Sequence, residues 1–364
     1  MNTSQLTFTR FIVAVLLVFF HYHHNKIFVT NFDFIEKLKP HLNLGVSYFY
    51  VLSGFVMMLA YGNRSYVSPK EYYINRIARV YPLHILSLVL VIVVSLLVSL
   101  KYFEFYHFPD VSLILKHVFL IQSWFPQSAL TLNEPSWSIS VELFFYLCFP
   151  ILHKFFFRKK NIKKISIILV LFWLISQALM IMFYFSPLYT EISKEGYGFS
   201  AEHLFLFCNP LFHLNQFCIG LLFGKYFINN YKKVKNNYDA AIIAVFTVTC
   251  IMVYCFRDLL VHNGLIAVNF AVLIFFISAN EGKITKLFRR KIFVYLGEIS
   301  FAIYLLQKPV FDIIEKAFRI LHIVNPYLIF FSSLFVLIVC SHYTYQWVEI
   351  PCKEKIKDIL KNKE

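Results

Sequence analysis

Apolar runs dominate this chain and are broken at intervals by short polar clusters. Windows of about 17 to 23 mostly apolar residues, long enough as helices to cross a bilayer, lie near 8–24, 43–60, 80–100, 138–157 and 165–185. Five more lie near 205–227, 239–256, 263–279, 293–309 and 327–347. The pattern predicts an all-α polytopic membrane protein with about ten transmembrane helices. Two apolar stretches fall outside it. VSLILKHVFLIQSW, from Val111, is about 14 residues and carries Lys116 and His117, so it reads as re-entrant or interfacial. VFDIIEKAFRIL, from Val310 just past Pro309, has an apolar stripe and predicts a helix lying flat on the outer surface.

Composition supports the membrane reading: 59% of the 364 residues are hydrophobic and 15% are charged, where a soluble domain carries about 25% charged residues. The net charge of +15 is a topology signal and not a sign of nucleic-acid binding. Cations follow every second span: Arg64, Lys70, Arg76 and Arg79, then FRKKNIKK from Phe157, KKVK from Lys232, Lys283 to Lys291, and the tail after Pro351. The opposite loops hold acids such as Glu191, Glu195 and Glu202. Both termini are therefore expected in the cytoplasm. The first span lacks a small-residue cleavage site and reads as a retained anchor. One membrane domain over 1–350 and a basic cytoplasmic tail over 351–364 describe the organisation. The seven cysteines mostly lie inside spans, with no CxxC, no Cys/His metal spacing and no disulfide framework. Cys352 could be acylated, although an ordinary cysteine is the simpler reading. No metal is expected.

Arg10 and His21 share one apolar helix, RFIVAVLLVFFH. Eleven residues of ideal helix rise about 16 Å and return to within about 20° of the starting direction, so both point one way. A cation near one membrane face and an imidazole near the other are costly in lipid. They suggest a polar tunnel in which something charged enters low and reacts high. Imidazole titrates near neutrality and can take a proton from a hydroxyl nucleophile. The plainer reading of His21 is an interface histidine beside Tyr22, His23 and His24; the last two point about 200° and 300° away and are left to the surface.

Three other places carry candidate chemistry. In YINRIARVYP, residues 73 to 82, Arg76 and Arg79 are three apart and neighbours on a helix. They make either a positive-inside anchor or a guanidinium fork suited to the phosphates of a cytosolic cofactor. Glu142, in WSISVELFFY, sits about one turn into a span, where a carboxylate must be paired or line a cavity. It is either a structural hydrogen-bonder or a partner at a depth resembling that of His21. Ser53 and Gly54, in FYVLSGF, fit close helix packing or the narrow wall of a substrate channel. Ser53 as a nucleophile has no visible activating base.

Together these stretches resemble the acyltransferase-3 family of integral membrane O-acyltransferases. The resemblance runs in order through Arg-x10-His, VLSGF, Arg-x-x-Arg before YP, NEPSWSISVELFFY, GEISFAIYLLQKPV from Gly297, and YQWVEIP from Tyr345. It implies a ten-helix domain that takes an acyl group, commonly acetyl, from cytosolic acyl-CoA and delivers it to a hydroxyl of an envelope or lipid-linked glycan across a bacterial cytoplasmic membrane. It also implies that His21 is the essential histidine with Arg10 its partner, that Arg76 and Arg79 are CoA-associated, and that Glu142 is the WSxSxE glutamate. Ser53 joins the donor-binding set. Where many relatives read YLLH, this chain has Gln307, which puts a proton-transfer role at that position in doubt. A transporter or flippase for a lipid-linked sugar is the rival class, but no inverted repeat or matched midplane break is visible. A non-catalytic scaffold leaves the aligned cation and histidine unexplained.

Overall fold

The computed structural model describes residues 3–22, 32–64, 66–102, 109–157, 161–191 and 198–361. His23 and His24 lie outside them, as do positions 158–160 of the second basic run. The described chain is helical throughout, with a single isolated bridge between Asn236 and Asn280. Its main helices are α1 (Gln5–His21), α2 (Leu44–Tyr61), α3 (Pro69–Tyr102), α4 (Trp137–Leu152) and α5 (Ile162–Tyr184). They continue with α6 (Pro210–Asn230), α7 (Asp239–Cys255), α8 (Ala267–Ala279), α9 (Ser300–Ile320) and α10 (Pro326–Thr344). Each predicted window overlaps one of these, but 205–227 also takes in the helix Ala201–Cys208 and 293–309 the helix Lys291–Glu298. Among the described residues six helical stretches are long and apolar enough to cross a bilayer, at 33–61, 69–97, 134–157, 162–184, 201–230 and 326–356. α1, α7 and α8 are apolar but shorter.

Small residues set the centre of the bundle. A Cβ added to Gly54 would lie 2.2 Å from the Phe217 carbonyl oxygen, and one on Gly220 would lie 2.1 Å from that of Val51. α2 and α6 therefore cross backbone to backbone, the close approach that glycine permits. The outer helices α5, α7 and α10 turn Leu171, Leu179, Ile243, Phe246 and Phe335 outward. An apolar exterior over backbone groups paired within helices is what a lipid surround demands.

One expectation needs correction. Val111–Val118 is helical as expected, but the chain after Pro309 does not form a separate surface helix: α9 runs unbroken from Ser300 to Ile320. Proline removes the bond to the carbonyl four residues back, here that of Leu305. Asn133 Nδ2 donates to that carbonyl at 3.1 Å and to Ser87 Oγ at 3.0 Å. An external donor thus satisfies the acceptor that proline orphans, and the helix continues. Arg76 and Arg79 lie on one helix as expected, inside α3. Ser68-Pro69-Lys70-Glu71 has the form of a capping box with proline at the first turn, and the Glu71 backbone N–H points to Ser68 Oγ at 3.5 Å.

Thr7 of α1 and Lys353 of the helix Ile350–Lys361 line one common cavity, so the chain's first and last described helices share a face. This basic face is fastened by polar contacts. Gln5 donates to the carbonyls of Ile277 and Ser278 at 3.1 and 3.2 Å and accepts from Arg289 Nε at 3.0 Å. Glu281 in turn pairs with Arg289 at 3.0 Å and Lys235 at 2.5 Å.

Candidate active site

Three cavities line up across the bundle. At the basic face, one of about 240 Å³ is lined by Arg10, Arg79, Glu298, Glu349 and Lys353. Deeper, a second of about 240 Å³ is bounded by Arg10, Ser53, Arg76, Arg79, Glu142 and Tyr146. Toward the opposite face, a third of about 590 Å³ holds His21, Glu134, Trp137, Tyr189, His203 and Asp258. Arg10 and Arg79 line both the first and the second. Val46 lines both the second and the third.

The middle cavity gathers Arg10, Ser53, Arg76, Arg79 and Glu142 of the residues singled out on α1 to α4, but neither His21 nor Gly54. Among the described residues none of Arg10, Arg76 and Arg79 forms an ion pair. The Arg76 guanidinium lies 5.6 to 5.9 Å from the rings of Tyr61, Tyr72 and Tyr146, and its buried Nε has no hydrogen-bond partner. Cation–π contacts offset part of the desolvation of such a group. A guanidinium with an orphaned nitrogen beside a cavity is a ready anion site, and its planar fork matches phosphate oxygens.

Glu142 is the carboxylate of this cavity and accepts from Ser53 Oγ at 3.0 Å and from Tyr146 Oη at 2.5 Å. Its depth left a partnership with His21 open; the two line different cavities. Ser53 therefore has a carboxylate at its hydroxyl, which its own motif did not reveal. Gly54 beside it packs on α6, so the two readings of that dipeptide divide between the residues. Tyr146 was missed. Its signal was the i,i+4 spacing from Glu142 inside one motif.

His21 closes the opposite end of α1. Its Nδ1 lies 3.0 Å from Gln307 Oε1, and Gln307 Nε2 donates to the Tyr304 carbonyl at 2.8 Å. Next to it the Tyr22 ring stacks on Phe311 at 4.0 Å, so α1 is clamped to α9 at two successive residues. The turn Glu134–Ser136 is bolted to the same helix: Tyr304 Oη donates to the Pro135 carbonyl at 3.0 Å.

An all-helical bundle with apolar outer helices and aligned polar cavities, cationic at one end and imidazole-bearing at the other, is the architecture of a membrane-embedded protein with a polar interior. The family model described as an acyltransferase domain (Acyl_transf_3) matches residues 4–345, and the chain belongs to this acyltransferase-3 family. It is 34% identical over 119 residues to the acyltransferase MdmB of Streptomyces mycarofaciens, which covers 31% of this chain and 28% of the relative. It is 23% identical over 335 residues to the O-acetyltransferase OatA of Staphylococcus aureus, covering 86% of this chain and 53% of the relative. The chain thus spans about half or less of the length of these two relatives. No solved structure matches it.

Proposed function

We propose that this chain is a membrane O-acyltransferase. It takes an acyl group, acetyl by preference, from acyl-CoA at the basic face, which we place in the cytoplasm, and moves it to a hydroxyl of an envelope or lipid-linked glycan that enters the cavity of His21. The observation that carries this reading is the pair of cavities meeting at Val46, one ringed by three guanidiniums outside any ion pair and the other holding an imidazole. CoA has a phosphate-rich head and a long thiol arm. Arg76 and Arg79 hold the phosphates, Arg10 lies along the arm, and Glu142 keeps Ser53 and Tyr146 in place on the wall.

The chemistry follows from these positions. His21 takes the proton of the acceptor hydroxyl as its oxygen bonds to the thioester carbon. The C–S bond breaks, the thiolate leaves, and the imidazolium returns the proton to sulfur. Ester and free CoA thiol are the products. A positioned base contributes about 10² to 10⁴-fold to such a step.

Purified protein incubated with radiolabelled acetyl-CoA and envelope glycan acceptors tests the reading, and label should appear on the acceptor. His21→Ala should abolish transfer while CoA affinity stays within about twofold. His21→Gln keeps hydrogen bonding without basicity. Robust turnover by that variant would falsify the general-base role.

A further inference from the structure

We infer that Gln307 is the positioning residue of this enzyme: it fixes which ring nitrogen of His21 carries hydrogen and so selects Nε2 as the base. The inference rests on the acyl-transfer reading for its chemistry but on geometry for its substance. A side-chain amide presents an oxygen that only accepts and a nitrogen that only donates. Gln307 Nε2 faces the Tyr304 carbonyl at 2.8 Å, and a carbonyl cannot donate, so the amide has one workable orientation. Its Oε1 is then the atom 3.0 Å from His21 Nδ1, and Nδ1 must carry the hydrogen. In a neutral imidazole the lone pair consequently sits on Nε2.

Three features make this arrangement firm. Gln307 is fully buried, so water does not compete for its oxygen. The carbonyl that orients it belongs to the same helix, one turn earlier. The contact joins residues 286 positions apart, so α1 and α9 must be docked for it to exist. An amide has no proton to relay. It stabilises the neutral, Nδ1–H form without changing its own charge, which separates it from the histidine that many relatives place here. The ring turns its lone pair to the acceptor hydroxyl, receives that proton on Nε2 during attack, and returns it to the leaving thiolate.

The test compares Gln307→Leu and Gln307→Glu with the parent in kcat/KM against pH, alongside acetyl-CoA affinity. The charged and titratable groups that share the cavity of His21 are Glu134, Glu191, Asp258, Arg257, His41, His203, His262, Tyr184 and Tyr189, and Lys308 and Asp312 flank Gln307 along α9. All are common to every variant, so a difference reports position 307. Leucine should lower kcat by about tenfold or more, within the 10² to 10⁴-fold a positioned base supplies, and leave CoA affinity within about twofold. Glutamate still accepts from Nδ1–H and should keep most activity, while its negative charge favours the imidazolium and moves the acid limb to higher pH. A leucine variant with parental kcat, or a glutamate variant whose acid limb stays in place, overturns the inference. Nitrogen-15 imidazole shifts, with the His21 signal assigned by its loss in His21→Gln, decide the tautomer independently of turnover. An Nδ1–H signature in the parent that becomes mixed in the leucine variant upholds the inference even if no acceptor is acylated; an Nε2–H parent sinks it. If the leucine variant does not fold, the glutamate profile and the parent spectrum still decide.

Discussion

Arg76 is the residue where cost and use are plainest. It sits among three tyrosine rings with an orphaned nitrogen at the cavity wall, and a partly buried charge without a counter-ion is expensive. An anionic donor would supply what the protein leaves out. Arg76→Ala should therefore weaken acetyl-CoA binding by about tenfold or more. Arg76→Lys should restore only part, because the planar fork is lost; isothermal titration of the two variants separates them. Unaltered affinity in Arg76→Ala/Arg79→Ala would return both to simple membrane anchoring. Arg10 and His21 were legible as a pair because eleven residues of one helix determine their relative direction. Glu142 was not, because its depth says nothing about its rotation toward neighbouring helices. The Gln307 contact was invisible for the same reason.

At the scale of elements, the continuity of α9 depends on a side chain far away in sequence. Asn133 reaches the Leu305 carbonyl across 172 residues, which is why reading Pro309 locally predicts a break. Losing a donor to a buried carbonyl costs about 1 to 3 kcal/mol, so Asn133→Ala should lower the thermal midpoint. Pro309→Ala returns the backbone N–H and should recover part of that loss in the double variant. Full additivity of the two substitutions would mean that Asn133 acts elsewhere. The α2–α6 crossing makes a similar demand. A methyl on Gly220 would meet the Val51 carbonyl, and Gly220→Ala should destabilise by about 1 to 3 kcal/mol, the usual cost of overpacking. The helices themselves were readable because apolar length is a local property. Their crossing partners are not encoded locally.

For the whole molecule, orientation is the first quantity to measure. Cysteine labelling from outside the cell should reach positions 186–203 and miss 228–238 if the basic face is cytoplasmic, and the reverse pattern would invert the map. The basic face also carries a pH dependence. Glu281 is held below the usual carboxylate range, first by its hydrogen bond with Lys235 and further by Arg289, against a smaller opposing effect of burial. Its stabilisation is full above the ordinary glutamate pKa of about 4.3 and is lost as pH falls through its lowered folded value. Acid unfolding should flatten in Glu281→Gln, with little change near neutrality. The last consequence belongs to Val46. In the proposed orientation the two cavities would open toward opposite sides of an energised membrane, and Val46 lines both. Each elementary charge crossing such a membrane releases about 2.3 kcal/mol per 100 mV, so a gap there would dissipate the proton gradient of the cell. Val46→Gly in sealed vesicles should raise passive proton leak, measured with an entrapped pH dye. The catalyst would then double as a seal, and a leak no greater than that of the parent would show that the insulation lies elsewhere.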